Sequence, residues 1–540
     1  MFENEFRRTR YSSESSLLRH SVALTEVAMY SRTRRQFLGE VGRGMVVIGV
    51  GASLAADLGL SYLHAADAAE RLALGKWGPL VDLLQQTSLE KLQPVLVEKL
   101  KTKEVDLPQL IGAGALANAE TFGGQDYVGF HTAMAMRPAL QMAAQMPAAE
   151  SALPVLKVLY QNTDQIQRSG AVERKTLRPV DGAGAKDASS QTLREAGREP
   201  NMDRAEQIFA TLSNRPYEEA YNDLHPMVQD DSDVHRFVLA HRAYRLIDVV
   251  GAEFAHTLLR QCVRYCVKSE QDRLSRRGPE PEIRTLLPKI VDEYGLAEKA
   301  LGTRSADDAW VERMCETLYQ SNAEQAAKTV AAALAEGFSR EDVGEAISLA
   351  ANLHVLRQPE ENKRVHGASV GVHASDAMNA WRNMARVVED RHAATGLILA
   401  AYHTMRSQGF SAPLLPTEAH RELVQTTDAQ QLLAVTEEAI RSNNQGLATA
   451  AMAIYGAQNY PVRPVFDLML RYTVSEDGRL HGEKYYQTVT EEFATTRPAL
   501  RWRHILGLAR ATASAYGFNR DDQPGYRAPG YEEARRLLNV

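Results

Sequence analysis

The sequence predicts an all-helical protein built from two related multi-helix halves packed together. Three observations carry that expectation. Apolar residues recur at three- and four-residue steps through most of the chain, as in "LPVLKVLYQNTDQI", where Leu153, Leu156, Leu159 and Tyr160 suit one stripe. No series of alternating, strand-like runs bounded by turn pairs interrupts the pattern. Short motifs from residues 76–285 return in the same order in residues 300–520.

The bulk composition narrows the class. A chain of 540 residues has room for roughly two to four domain-sized units. With 44% hydrophobic and 24% charged residues it has ordinary globular composition. The net charge of -6 is small, and no Lys/Arg block stands out beyond the N-terminal region, so a nucleic-acid partner is not expected. The 3 cysteines are too few and too sparse for a disulfide framework. Cys262 and Cys266 fall one helical turn apart and read as small core hydrophobes, with a metal pair or redox couple as the sharper alternative.

The first segment is a candidate export signal. Residues 31–68 have a basic start, an apolar stretch from Met45 to Ala56, and small residues ending in Ala66-Asp67-Ala68. That is the three-part layout of a secretory signal. The apolar run holds about a dozen residues, broken by Gly49 and Gly51, where about 20 are needed to span a bilayer, so no stable transmembrane anchor is expected. Thr33-Arg34-Arg35-Gln36-Phe37-Leu38 resembles the twin-arginine export signal, with Arg34, Arg35, Phe37 and Leu38 as its defining residues. The resemblance implies recognition by the twin-arginine export machinery and a periplasmic or cell-envelope destination. It also implies a passenger that folds, and commonly takes up its cofactor, before export. The lead before the arginines is long, and Met29 offers an alternative start. Residues 1–68 are therefore read as N-terminal extension plus signal, with cleavage expected near Ala68.

The two halves follow. "LANAE" at 116–120 lines up with "AANLH" at 350–354. His131 lines up with His366, Asn214 with Asn459, Pro216 with Pro461, His235 with His481, and His256 with His504. The offset drifts one way, from 234 (350 against 116) to 248 (504 against 256). A period this long argues for duplication of a whole helical unit, not for a solenoid. Residues 169–201 and 269–282 are polar and read as loops. Residues 521–540 read as an irregular tail ending in a short helix.

Chemistry, if present, falls to histidine. Imidazole is the commonest metal ligand and the usual proton shuttle near neutral pH. A buried ring needs a partner for its N–H, so rings repeated in both halves invite a specific role. The candidate ligands are His131, His235, His256, His366, His481 and His504, for a metal ion or haem. Acid–base catalysis and purely structural hydrogen bonding are the alternatives. His366 and His373 are seven residues apart, a rise of about 10 Å on a helix, too far for a one-ion clamp. His373 is accordingly placed in support, with Asp376 one turn on to orient its ring.

Other patterns are weaker. Glu253/His256 and Glu389/His392 match the Glu-x-x-His element of di-iron bundles but are not equivalent in the repeat. Gly367-Ala368-Ser369-Val370-Gly371 matches the nucleophile elbow of hydrolases without the strand that context requires. Its glycines suit a close helix crossing instead. The methionines of "TAMAMRPALQMAAQM" suit core filling better than copper. The expectation is an exported, His-ligated metal- or haem-dependent oxidoreductase. The alternative is a non-enzymatic helical scaffold or binding protein of the cell envelope, with structural histidines.

Overall fold

The computed structural model describes residues 72–168, 176–359, 369–406, 409–476, 480–517 and 528–540. The arginine pair, the apolar run and His366 lie outside the described residues. What is described is helical, with an isolated backbone bridge between Arg304 and Phe338 and no strand among the described residues. No helix among them is long and apolar enough to cross a membrane.

Twenty-three α-helices follow one another among the described residues. The first ten are α1 (Gly78–Gln86), α2 (Leu89–Lys101), α3 (Leu107–Phe122), α4 (Tyr127–Gln145), α5 (Leu153–Arg168), α6 (Ser190–Arg198), α7 (Met202–Leu212), α8 (Tyr217–Val228), α9 (Val234–Val250) and α10 (Ala255–Ser275). After α11 (Ile283–Glu293) come α12 (Asp308–Gln320), α13 (Ala323–Ala335), α14 (Arg340–Arg357), α15 (Val370–Met384) and α16 (Asp390–Met405). The rest are α17 (Glu418–Glu422), α18 (Ala429–Arg441), α19 (Gln445–Ala457), α20 (Arg463–Ser475), α21 (His481–Thr495), α22 (Trp502–Ala515) and α23 (Tyr531–Leu538).

Local chemistry sets the boundaries. Asp106 and Gln109 form a reciprocal capping box at the start of α3, which ends at Gly123 with φ 52°, a left-handed stop suited to glycine. Ser189 and Thr192 build a similar box, so residues 190–198, expected to be loop, form a helix. The second expected loop is also partly helical, because α10 continues to Ser275. The polar residues there have work to do: Glu270 is buried and binds both Arg273 and Arg284 of α11. The tail ends in the expected short helix, α23.

Some helix pairings within α1 to α10 are matched within α12 to α22. In each set the third helix packs on the first and fourth, the fourth on the fifth, and the last two long helices on each other: α1–α3–α4–α5 with α9–α10, and α12–α14–α15–α16 with α21–α22. At the centre α4, α9, α15 and α21 close a ring, each packing on two of the others. Trp381 of α15 is fully buried there against Phe237 of α9, ring centroids 5.1 Å apart. Gly371 explains the close seat of α15 on α14. A Cβ at that position would meet the backbone nitrogen of Val355 at 2.5 Å. This part of the Gly-x-Ser-x-Gly match is a helix contact, and Ser369 is the N-cap of α15, accepting from Val372 N at 3.2 Å.

Candidate functional site

The four central helices bring four histidines together at their N-terminal ends. His131 lies in the opening turns of α4, His235 in the first turn of α9, His373 in the first turn of α15, and His481 begins α21. Their rings close a cycle. Centroids are 5.0 Å apart for His131–His235, 5.9 Å for His235–His373, 5.6 Å for His373–His481 and 5.1 Å for His481–His131.

The caps before these helices aim the rings. Asp126 accepts from Gly129 N at 2.7 Å, just ahead of His131. Asp233 caps α9 by accepting from His235 N at 3.1 Å. The same carboxylate meets His235 Nδ1 at 3.2 Å and accepts from the Tyr265 hydroxyl at 2.5 Å. A carboxylate cannot donate, so in this hydrogen bond Nδ1 carries the proton. Burial alone would raise Asp233, but His235, Tyr265 and Arg236 hold it well below the usual carboxylate range. Phe130 stacks on His131 at 4.9 Å and touches Tyr265 edge-on at 5.1 Å, closing one side. His131 and His481 are buried, whereas His235 and His373 are partly exposed.

Burial, with Lys484 and His235 nearby, pushes His373 down to about 3, so this ring is neutral near pH 7. Its Nε2 has no hydrogen-bond partner among the described residues. A charged layer lies beneath. Asp376 accepts from Thr488 Oγ1 at 2.9 Å. Burial raises the Asp376 carboxyl, against Lys484 and Arg242, and burial lowers Lys484 to about 8.

Of the six paired histidines, His131, His235 and His481 meet. His256 and His504 have other surroundings. His256 packs on Phe209 at 5.7 Å, in a surface pocket with Glu253 and Tyr217. His504 Nε2 is 3.3 Å from Thr496 Oγ1, beside the buried Glu492–Arg382 pair. Neither Glu253 nor Glu389 enters the histidine cluster, and Met134, Met136 and Met142 are core residues. Cys262 and Cys266 are buried, unbridged thiols whose pKa values burial raises.

The ring that completes the cycle, His373, is one that the sequence reading placed only in support. As the side chains stand, no three His, Cys, Asp or Glu among the described residues point their donor atoms at one site suited to a metal ion. What the cluster offers is four imidazole rings side by side, their centroids 5.0 to 5.9 Å apart around the cycle. No known family model matches the chain, and neither do any curated protein or solved structure.

Proposed function

We propose that this chain is an exported, histidine-ligated transition-metal protein, an oxidoreductase. One ion would be held by His131, His235, His373 and His481, two from each of the related halves. The closed cycle of ring separations carries the proposal. An imidazole bound at a metal–nitrogen distance of about 2 Å puts its centroid about 3.2 Å from the ion, so tetrahedral neighbours lie about 5 Å apart. The four sides of the cycle run from 5.0 to 5.9 Å. Binding would require the rings to turn about their side-chain bonds until the donor nitrogens meet, since they do not converge as they stand. The Asp233–His235 pair is the carboxylate–histidine arrangement that fixes the tautomer of a metal-bound ring.

Imidazole suits copper, iron, nickel and zinc ions. A haem is the poorer fit, since its macrocycle would separate rings that here touch. The twin-arginine resemblance supports a passenger loaded before export. The second reading, a helical scaffold with structural histidines, is favoured by the donor atoms not converging as they stand. Metal analysis and visible absorption of the full chain, purified after export from its own host, separate the two. One equivalent of a transition metal supports the metal reading, and a metal-free, colourless protein supports the scaffold.

A further inference from the structure

Three of the four histidine helices open on a side-chain cap: Asp126 for α4, Asp233 for α9 and Ser369 for α15. α21 opens differently. Its N-cap is Leu480, which makes no side-chain cap hydrogen bond and sits at φ 60°, in the left-handed region that a bulky side chain seldom takes. His481 is the next residue, so the start of α21 is fixed by other means.

That support comes from α5, far earlier in the chain. Lys157 is 1% exposed. Its Nζ donates to Thr473 O at 3.0 Å and to Glu476 O at 2.6 Å, and pairs with Glu483 Oε1 at 2.5 Å. Thr473 lies in the last turn of α20 and Glu476 is its C-cap. Carbonyls at such an end lack partners within the helix and carry the negative end of its dipole. Glu483 is in the first turn of α21, two residues after His481, and is fully buried. The two helix ends also touch, since a Cβ on Gly482 would meet Thr473 Cγ2 at 3.2 Å. One ammonium thus ties the end of α20 to the start of α21, where His481 sits.

We propose that Lys157 is a positioning residue for His481, holding its ring in the cluster from α5. The inference concerns where the ring sits, and it rests on the metal reading only for its effect on metal affinity. The charge is what acts. An ammonium has three donors and no acceptor, and three oxygens receive it here. Without it, the Glu483 carboxylate keeps its burial and loses a cation, which drives it towards water. Glu483 cannot shift without carrying the first turn of α21, and His481 with it. The other three rings sit on helices with caps of their own.

Carbethoxylation of histidines in the metal-free full chain, with labelled peptides read by mass spectrometry, tests this. Lys157→Met keeps the side-chain length and removes the charge. It is expected to raise the labelling rate of His481 by about fivefold or more, through local opening, and to leave the buried His225, His354 and His504 unchanged. Glu483→Gln is expected to give a smaller rise at His481, and it decides the matter if Lys157→Met does not fold. A similar rise at all four histidines, or no rise at His481 in either variant, overturns the proposal. Zn²⁺ titration of the same proteins separates this from the metal reading. A fall in affinity of about tenfold or more in Lys157→Met supports both. If labelling rises at His481 alone and Zn²⁺ binding is unchanged, Lys157 stands as a positioning residue and His481 is not a ligand.

Discussion

The carboxylate of Asp233 holds His235 twice, accepting its backbone N–H at 3.1 Å and its ring Nδ1 at 3.2 Å. One side chain thus ends the loop, starts the helix and selects the ring tautomer. Asp233→Asn keeps the shape and loses the charge. Metal affinity is expected to fall about 10- to 100-fold, as for other second-layer partners of ligating histidines. Asp233→Ala also removes the cap and is expected to lose about 1 to 2 kcal/mol of stability. Metal titration and thermal unfolding of both variants check the two effects separately.

The histidines divide into two groups with different expected behaviour. His373→Ala and His481→Ala are expected to lose bound metal while retaining the helical fold. His256→Ala is expected to retain metal, since its ring lies against Phe209 and not in the cluster. Metal content after gel filtration, with far-ultraviolet circular dichroism as the folding control, distinguishes them. Equal loss in all three variants would contradict the division.

Much of the fold was legible because helical periodicity and the repeated motifs do not depend on long-range detail. Three of the four clustered histidines were likewise recoverable from the repeat. His373 was undervalued for a physical reason. α4 begins five residues after α3 ends, whereas α15 begins 13 residues after α14 ends, so an alignment with a steadily drifting offset does not set His373 beside His131. The available signal was capping. Asp126, Asp233 and Ser369 each stand two to five residues before a clustered histidine and cap its helix. Repetition alone misleads at His256 and His504, because two related halves can match at a position whose side chains serve different networks. The polar stretch from residue 269 looked like loop because its buried member, Glu270, is charged, and only the fold reveals Arg284 opposite it.

Gly371 and Gly184 should respond in opposite ways to alanine. At Gly371 the added carbon meets backbone at 2.5 Å, which cannot swing aside, while at Gly184 nothing lies within 4 Å. Gly371→Ala is expected to destabilise by about 1 to 3 kcal/mol. Gly184→Ala is expected to be neutral or to stabilise by up to about 1 kcal/mol. Chemical denaturation of the two variants reads the difference directly.

Glu492 and Arg382 form a buried ion pair at 2.5 Å, extended by Ser348 and Asn379. Burial alone would raise Glu492, but Arg382, His504 and these donors hold it at about 2. Glu492→Ala leaves Arg382 buried without its carboxylate and is expected to cost about 3 to 5 kcal/mol. A loss under about 1 kcal/mol in equilibrium unfolding would contradict that account of the pair.

Stability should fall on mild acidification, and the sign follows from the histidines outside the cluster. Burial pushes His225 down to about 3, and His256, His354, His392, His403 and His504 to about 4. Unfolded, each would titrate near about 6.5, so between those values the unfolded chain binds more protons than the folded one. Stability is therefore full above about pH 6.5 and is lost progressively towards pH 4, by up to about 1.4 kcal/mol per pH unit for each proton. Melting temperatures measured from pH 7.5 to 4.5 are expected to fall steadily. A flat profile would mean that these rings accept protons in the folded state.

X-ray absorption at the edge of the bound metal tests the central claim most directly, because it counts the imidazoles around the ion. The four-histidine centre predicts about four nitrogen neighbours at about 2.0–2.1 Å, with imidazole outer-shell scattering that weakens in His373→Ala. Two or fewer imidazoles, or a spectrum unchanged in that variant, would contradict it.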